Sequence, residues 1–246
     1  MLVWVASYQR SGNNLTFRTL DEVFGSNRFC TIYKPGLFLR GKKFSRYKVP
    51  PELRKKPKDE LLETLRARPE PFFIKSHRPR DSSDPAPGLY IVRDGRDVLV
   101  SRAHWLGDNK IGPYHALPFE QQLRRLVTSE NWSKHIRTWR TRSAPTALVR
   151  YEDLLADAAG TVKRACDQIG VALGDPKGEL TPFAELRERD PLMHRRGKTG
   201  SWEEEMPPEL EETFWQLHGE EMEALGYTNR GAGRGEAKVG TGARVS

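Results

Sequence analysis

Ser7-Tyr8-Gln9-Arg10-Ser11-Gly12-Asn13-Asn14 puts a glycine, hydroxyl and amide side chains and one cation into a single turn. Where such a turn enters a helix, free backbone N–H groups and the helix dipole attract anions. Arg10 adds a fork that suits phosphate or sulfate oxygens. The run lacks the GxxxxGK[ST] spacing of a Walker A loop. A second cluster is Lys75-Ser76-His77. A histidine titrates near neutral pH and can act as a general base, and a neighbouring lysine can hold negative charge.

Two further clusters point to anion chemistry. In Arg93-Asp94-Gly95-Arg96-Asp97-Val98-Leu99-Val100-Ser101, the arginine ends one pattern and the serine lies early in the next. One phosphate could touch Arg93 and Ser101 if a strand end and a helix start converge there. The purely structural alternative has Asp97 capping the helix, Arg96 exposed and Ser101 packing. The last cluster is Tyr151-Glu152-Asp153, then Thr181-Pro182-Phe183, then Arg195-Arg196-Gly197-Lys198-Thr199-Gly200-Ser201-Trp202. Its glycines let the backbone approach an anion closely, so that N–H groups and cations share its oxygens. A plain basic loop is the competing reading.

These clusters need a scaffold. Apolar runs at Leu2–Ser7, Phe72–Lys75, Leu89–Arg93 and Thr146–Tyr151 predict buried strands. Helical spacing follows a cap at Asn13 or Asn14, then recurs near Glu60–Arg66, from Arg96, over Phe119–Arg142, over Glu152–Ile169 and after Pro207-Pro208. Strands alternating with helices predict an α/β fold in three layers, with a central parallel sheet covered on both faces. Ligands of such sheets bind at the carboxyl ends of the strands, which singles out the turns after Ser7, Lys75, Arg93 and Tyr151. We expect one domain over residues 1–228 and a disordered glycine-rich tail over 229–246.

The chain has 246 residues, 41 Lys+Arg and 33 Asp+Glu, a formal charge of +8. Lys34–Lys58 holds ten basic residues and one acid, whereas Glu203–Leu225 holds nine glutamates and no Lys or Arg. The basicity is therefore local, suited to an anionic ligand or polymer or simply to a solvated flap. No apolar run approaches the roughly 18 residues of a membrane span, and the N-terminus lacks signal-peptide features. Cys30 and Cys166 lie too far apart in sequence to suggest a disulfide framework or a zinc site. The expected location is the cytoplasm.

In this order the clusters resemble those of the cytosolic-type sulfotransferases, which use 3′-phosphoadenosine 5′-phosphosulfate (PAPS) and release 3′,5′-diphosphoadenosine (PAP). The SYQRSGNN turn is similar to their SYPKSGTTW loop, KSH to their KTH, VRDGRDVLVS to their 3′-phosphate motif, RYEDL to their YEDL and RRGKTGSW to their RKGxxGDW. The resemblance implies the P-loop-NTPase-like fold of these enzymes and sulfonate transfer to a hydroxyl or amine, with no metal required. It makes His77 the base, with Arg10 and Lys75 facing the transferring group alongside the N–H groups of Ser11, Gly12, Asn13 and Asn14. It gives the 3′-phosphate to Arg93 and Ser101, assisted by Arg195, Arg196 and Gly197. Tyr151 and Thr181 would approach adenine and Phe183 would stack on it.

Three positions depart from the family pattern. Gln9 replaces a proline, Arg10 a lysine and Leu15 an adenine-stacking tryptophan. Phe29–Arg68 and Trp105–Leu117 match nothing in the family. His104, Trp105, Tyr114 and His115 either line the acceptor pocket or pack a loop. The implied acceptor is a small molecule or glycan, neutral or anionic. A polyanion-binding module or a nucleotide-dependent phosphoryl transferase are the alternatives, with specific nucleic-acid recognition not expected. Oligomeric state is left open.

Overall fold

The computed structural model describes residues 1–26, 29–31, 57–79, 84–110, 115–129 and 131–229. All of the basic segment but residues 57 and 58, Tyr114 and nearly all of the glycine-rich tail lie outside them. Five strands are described: β1 (Leu2–Ser7), β2 (Phe29–Thr31), β3 (Phe72–Ser76), β4 (Gly88–Val92) and β5 (Thr146–Arg150). They form one sheet in the order β2-β3-β1-β4-β5, every neighbouring pair parallel. Parallel pairing sends all the strand ends to the same edge, so the turns after β1, β3, β4 and β5 emerge side by side.

Side chains alternate between two cores, as a pleated strand requires. Trp4, Ala6, Ile74, Tyr90 and Val92 pack on one face, against helices α2 (Lys58–Ala67), α3 (Gly95–Asp108), α4 (Phe119–Val127), α5 (Asn131–Arg140) and α10 (Pro208–Ala224). Val3, Val5, Phe73, Leu89, Ile91 and Val149 pack on the other. There they meet α1 (Asn13–Arg18), its π-helical continuation Thr19–Val23, α6 (Tyr151–Ala156) and α7 (Ala158–Gln168). Two short helices complete the described chain, α8 (Phe183–Arg189) and α9 (Trp202–Glu205). The three-layer α/β expectation holds. No helix among the described residues is long and apolar enough to cross a membrane.

Several local expectations are corrected. The pattern over Phe119–Arg142 is two helices, interrupted between Val127 and Asn131. The pattern after Tyr151 also divides, because the extended Asp157 ends α6 and caps α7 by accepting from Gly160 N. Neither Asn13 nor Asn14 caps α1: Gly12 precedes it at φ 110°, with no side-chain cap. A Cβ there would come within 2.5 Å of the Tyr151 ring, so both the left-handed backbone and the close approach require glycine.

Candidate active site

β1 delivers the first cluster. Arg10 sits at φ 74°, a left-handed backbone that costs a side-chain-bearing residue roughly 1–2 kcal/mol. Its Nε donates to Ser101 Oγ at 3.2 Å, and its Nη2 to the Met193 carbonyl at 3.1 Å. Asn13 turns back into the fold: its Nδ2 donates to Val5 O and to Ser7 Oγ, both at 3.2 Å. Its side chain thus fastens the turn to β1. Asn14 Oδ1 accepts from Lys75 Nζ at 2.8 Å, linking the turn to β3.

β3 places Lys75 and His77. His77 Nδ1 lies 3.0 Å from the Ser7 carbonyl, which can only accept. Nδ1 therefore carries the proton, and the Nε2 lone pair is left to accept another. Burial, then the positive charge of Lys75, push His77 down to about 3. Burial and Arg10 likewise lower Lys75 to about 8. Arg10 falls to about 10 through burial and the neighbouring Arg93 and Arg195. These cations crowd one another, which is the electrostatic signature of a site shaped for an anion.

The third cluster follows β4. The Arg93 guanidinium stacks 4.6 Å over the Tyr151 ring, donates to the Lys198 carbonyl at 2.9 Å and pairs with Asp97 at 3.2 Å. Asp97 does not cap α3. Asp94 does, accepting from Arg96 N, while the Asp97 carboxylate accepts from Gly200 N and Trp202 N at 2.8 and 3.1 Å. Arg96 is not exposed: it lies under Trp202 and pairs with Asp94 and Glu211. Asp97 therefore ties the late basic loop to α3 and to Arg93 at once.

That loop brings its own counter-charges. Arg195 pairs with Glu205 at 3.0 Å, Arg196 with Glu204 at 2.5 Å and Lys198 with Glu204 at 2.9 Å. Hydrogen bonds from Lys198 and Arg196 hold the Glu204 carboxyl down to about 2. Gly197, at φ 62°, lets the Phe183 ring pack on the backbone; a Cβ there would run into that ring. Thr181 is held from α1 and its π-helical continuation. Its N–H donates to Glu22 at 2.8 Å and its carbonyl accepts from Arg18 at 2.7 Å.

These parts surround one cavity of about 500 Å³, a size that suits a drug-sized ligand. It brings together Arg10, Gly12, Asn13, Asn14, Lys75, His77, Arg93, Ser101, Tyr151, Thr181, Phe183, Arg195, Arg196 and Gly197. Ser11 alone of the expected residues does not line it; it is buried. Sequence reasoning missed the apolar wall of Leu154, Leu155, Leu180 and Met193, and it missed Asp97 as an anchor.

A second histidine lies nearby. His135 Nδ1 is 2.8 Å from the Tyr90 hydroxyl, and burial lowers it to about 4. Both His77 and His135 thus fold neutral, whereas the unfolded chain protonates them below about 6.5. The unfolded state binds more protons there, so stability is lost as pH falls from 6.5 towards 4. Melting temperatures measured from pH 7.5 to 5 should fall steadily, and His135→Gln should reduce the slope by about one proton.

The family model described as a sulfotransferase domain matches residues 2–226. Mouse sulfotransferase 2A6 is 30% identical over 164 residues, 57% of this chain and 58% of the relative. Rat sulfotransferase 2A1 is 27% identical over 186 residues, 62% of this chain and 64% of the relative. The match thus spans about three-fifths of each relative's length. Among solved structures, mouse sulfotransferase SULT7A1 complexed with PAP superposes with a TM-score of 0.63 at 18% identity, covering 95% of this chain and 86% of that one. A sulfotransferase from Alicyclobacillus acidocaldarius gives 0.51 at 14% identity, covering 94% and 98%. The fold is shared with both, and the match of the domain model over nearly the whole chain makes this protein a member of the sulfotransferase family.

Proposed function

We propose that the protein transfers the sulfonate of PAPS to an acceptor hydroxyl or amine, with His77 as base. The observation that carries this reading is the convergence of Arg10, Lys75, His77, Arg93, Ser101 and Arg196 on one cavity. Their mutual repulsion suits a ligand with several negative charges. Arg93 also has a buried Nε without a partner, a donor available to a phosphate oxygen.

The donor supplies an activated sulfonate. His77 Nε2 takes the acceptor proton as the acceptor atom bonds to sulfur. Arg10, Lys75 and the N–H groups at the start of α1 hold the charge released on the phosphate oxygen as its bond to sulfur opens. Arg93 and Ser101 bind the 3′-phosphate, with Arg195, Arg196 and Gly197 beside them. Tyr151, Thr181 and the half-exposed Phe183 ring contact adenine, and Leu15 and Leu180 supply apolar surface where Leu15 replaces an aromatic side chain.

The test is thermal unfolding with and without PAP, followed by labelled transfer from PAPS to phenols, sugars, lipids and peptides. PAP at 100 times its dissociation constant should add roughly 2.7 kcal/mol; stabilisation by ATP in preference to PAP would overturn the reading. Arg93→Ala should weaken PAP binding by about ten- to a hundredfold, the loss of a charged hydrogen bond. An anion beside Lys75 raises its depressed pKa of about 8. PAP binding between pH 8 and 10 should therefore take up protons, read by calorimetry in buffers of different ionisation enthalpy.

A further inference from the structure

Arg102 differs from four other arginines that are buried or partly buried. Arg18, Arg93, Arg96 and Arg195 each have a carboxylate within 4 Å. Among the described residues Arg102 has none. Its Nη1 donates to the neutral Gln9 Oε1 at 2.5 Å, its guanidinium lies 5.1 Å over the Tyr8 ring, and its Nε is buried without a partner. A half-buried charge without an oxyanion leaves donors unsatisfied at a cost in stability.

Its position gives that charge a direction. On α3, Arg102 lies between Ser101 and Trp105, which line the cavity; Arg102 is not itself a lining residue and meets the cavity through Gln9, which is. Trp105 is three residues on, a neighbour on the same helix face. The positive charge of Arg102 also depresses both His77 and His135, so it acts within reach of the base. The donor is already provided with Arg10, Arg93, Arg195 and Arg196, which line the cavity. Arg102 is not needed for it.

We propose that Arg102 is a specificity residue of the acceptor site: it selects an acceptor that carries a carboxylate or similar oxyanion beside the hydroxyl or amine that reacts, and Gln9 Oε1 occupies the guanidinium until that group arrives. The planar fork suits such an oxyanion, and Trp105 supplies a ring face beside it. This rests on the sulfonate-transfer reading, and the experiment separates the two.

The three hydroxybenzoate isomers are each compared with the matching hydroxybenzamide, by calorimetric binding to the protein–PAP complex and by kcat/KM with PAPS. In at least one pair the carboxylate should bind about tenfold or more tightly than the amide, the size of a charge-assisted hydrogen bond. Arg102→Gln should bring that ratio to about one, and Arg102→Lys, which keeps the charge and loses the fork, to an intermediate value. Both variants should be stabilised by PAP as much as the wild type. A wild type without preference in any pair, or a ratio that survives Arg102→Gln, overturns the proposal while PAP stabilisation leaves the donor reading standing. A wild type that PAP does not stabilise overturns both.

Discussion

His77→Ala should lower kcat by about 10²–10⁴-fold, the usual contribution of a positioned general base. PAP should still stabilise the variant, because the histidine serves the acceptor. The tautomer sets this role: with Nδ1–H tied to the Ser7 carbonyl at 3.0 Å, only Nε2 can take a proton. His77→Gln should be nearly as inactive, since an amide of similar reach cannot accept a proton at neutral pH. Because burial and Lys75 hold His77 down to about 3 in the free protein, the acid limb of kcat/KM should lie below pH 6, where an ordinary histidine would already be half protonated. A negative sulfonate beside Lys75 removes part of the field that depresses the imidazole, strengthening the base when it is needed. A variant retaining more than a tenth of wild-type turnover would refute the assignment.

Asp97→Ala should produce the largest loss of stability. Asp97 is fully buried and serves three partners: the Arg93 guanidinium and the N–H groups of Gly200 and Trp202. Removing one member of a buried ion pair costs about 3–5 kcal/mol, because the other charge stays behind uncompensated. In a chain of this size that lowers the melting temperature on the order of 10 °C. PAP affinity should fall as well, because the loop bearing Arg195–Gly197 loses its anchor to α3. Asp97→Asn keeps the volume and can still accept one N–H, so it should lose less. An Asp97→Ala protein that melts within 2 °C of the wild type, by calorimetry, would show that the loop is held by other contacts.

The inner strands and the cavity residues were legible in the sequence because each strand is a short apolar run ending in a polar turn. Parallel pairing then made strand ends into neighbours. The breaks within the long helical patterns were not legible. Asp157 looks like another helix-compatible acid until its side chain is seen to accept from Gly160 N. The three-residue strand β2 and the short helices α8 and α9 carry too few residues for a period to show. Arg96 reads as a surface cation after a turn; its burial depends on Trp202 and Glu211, more than a hundred residues away. Long-range partners of this kind leave no local trace. Ser11 fell outside the cavity for a simpler reason: in a tight turn, adjacent residues cannot all face the same way.

The glutamates beside Arg195, Arg196 and Lys198 bear on how the protein meets ionic strength. A loop with three bare cations would draw a polyanion from a distance and lose it steeply as counterions accumulate. Here each cation already has an internal carboxylate, so the far field of the loop is largely cancelled. Added salt screens these internal pairs and the incoming phosphate alike. Diphosphate affinity should therefore decline gently from dilute buffer to half-molar salt, and the loop should keep its discrimination among short-range shapes where simple attraction has faded.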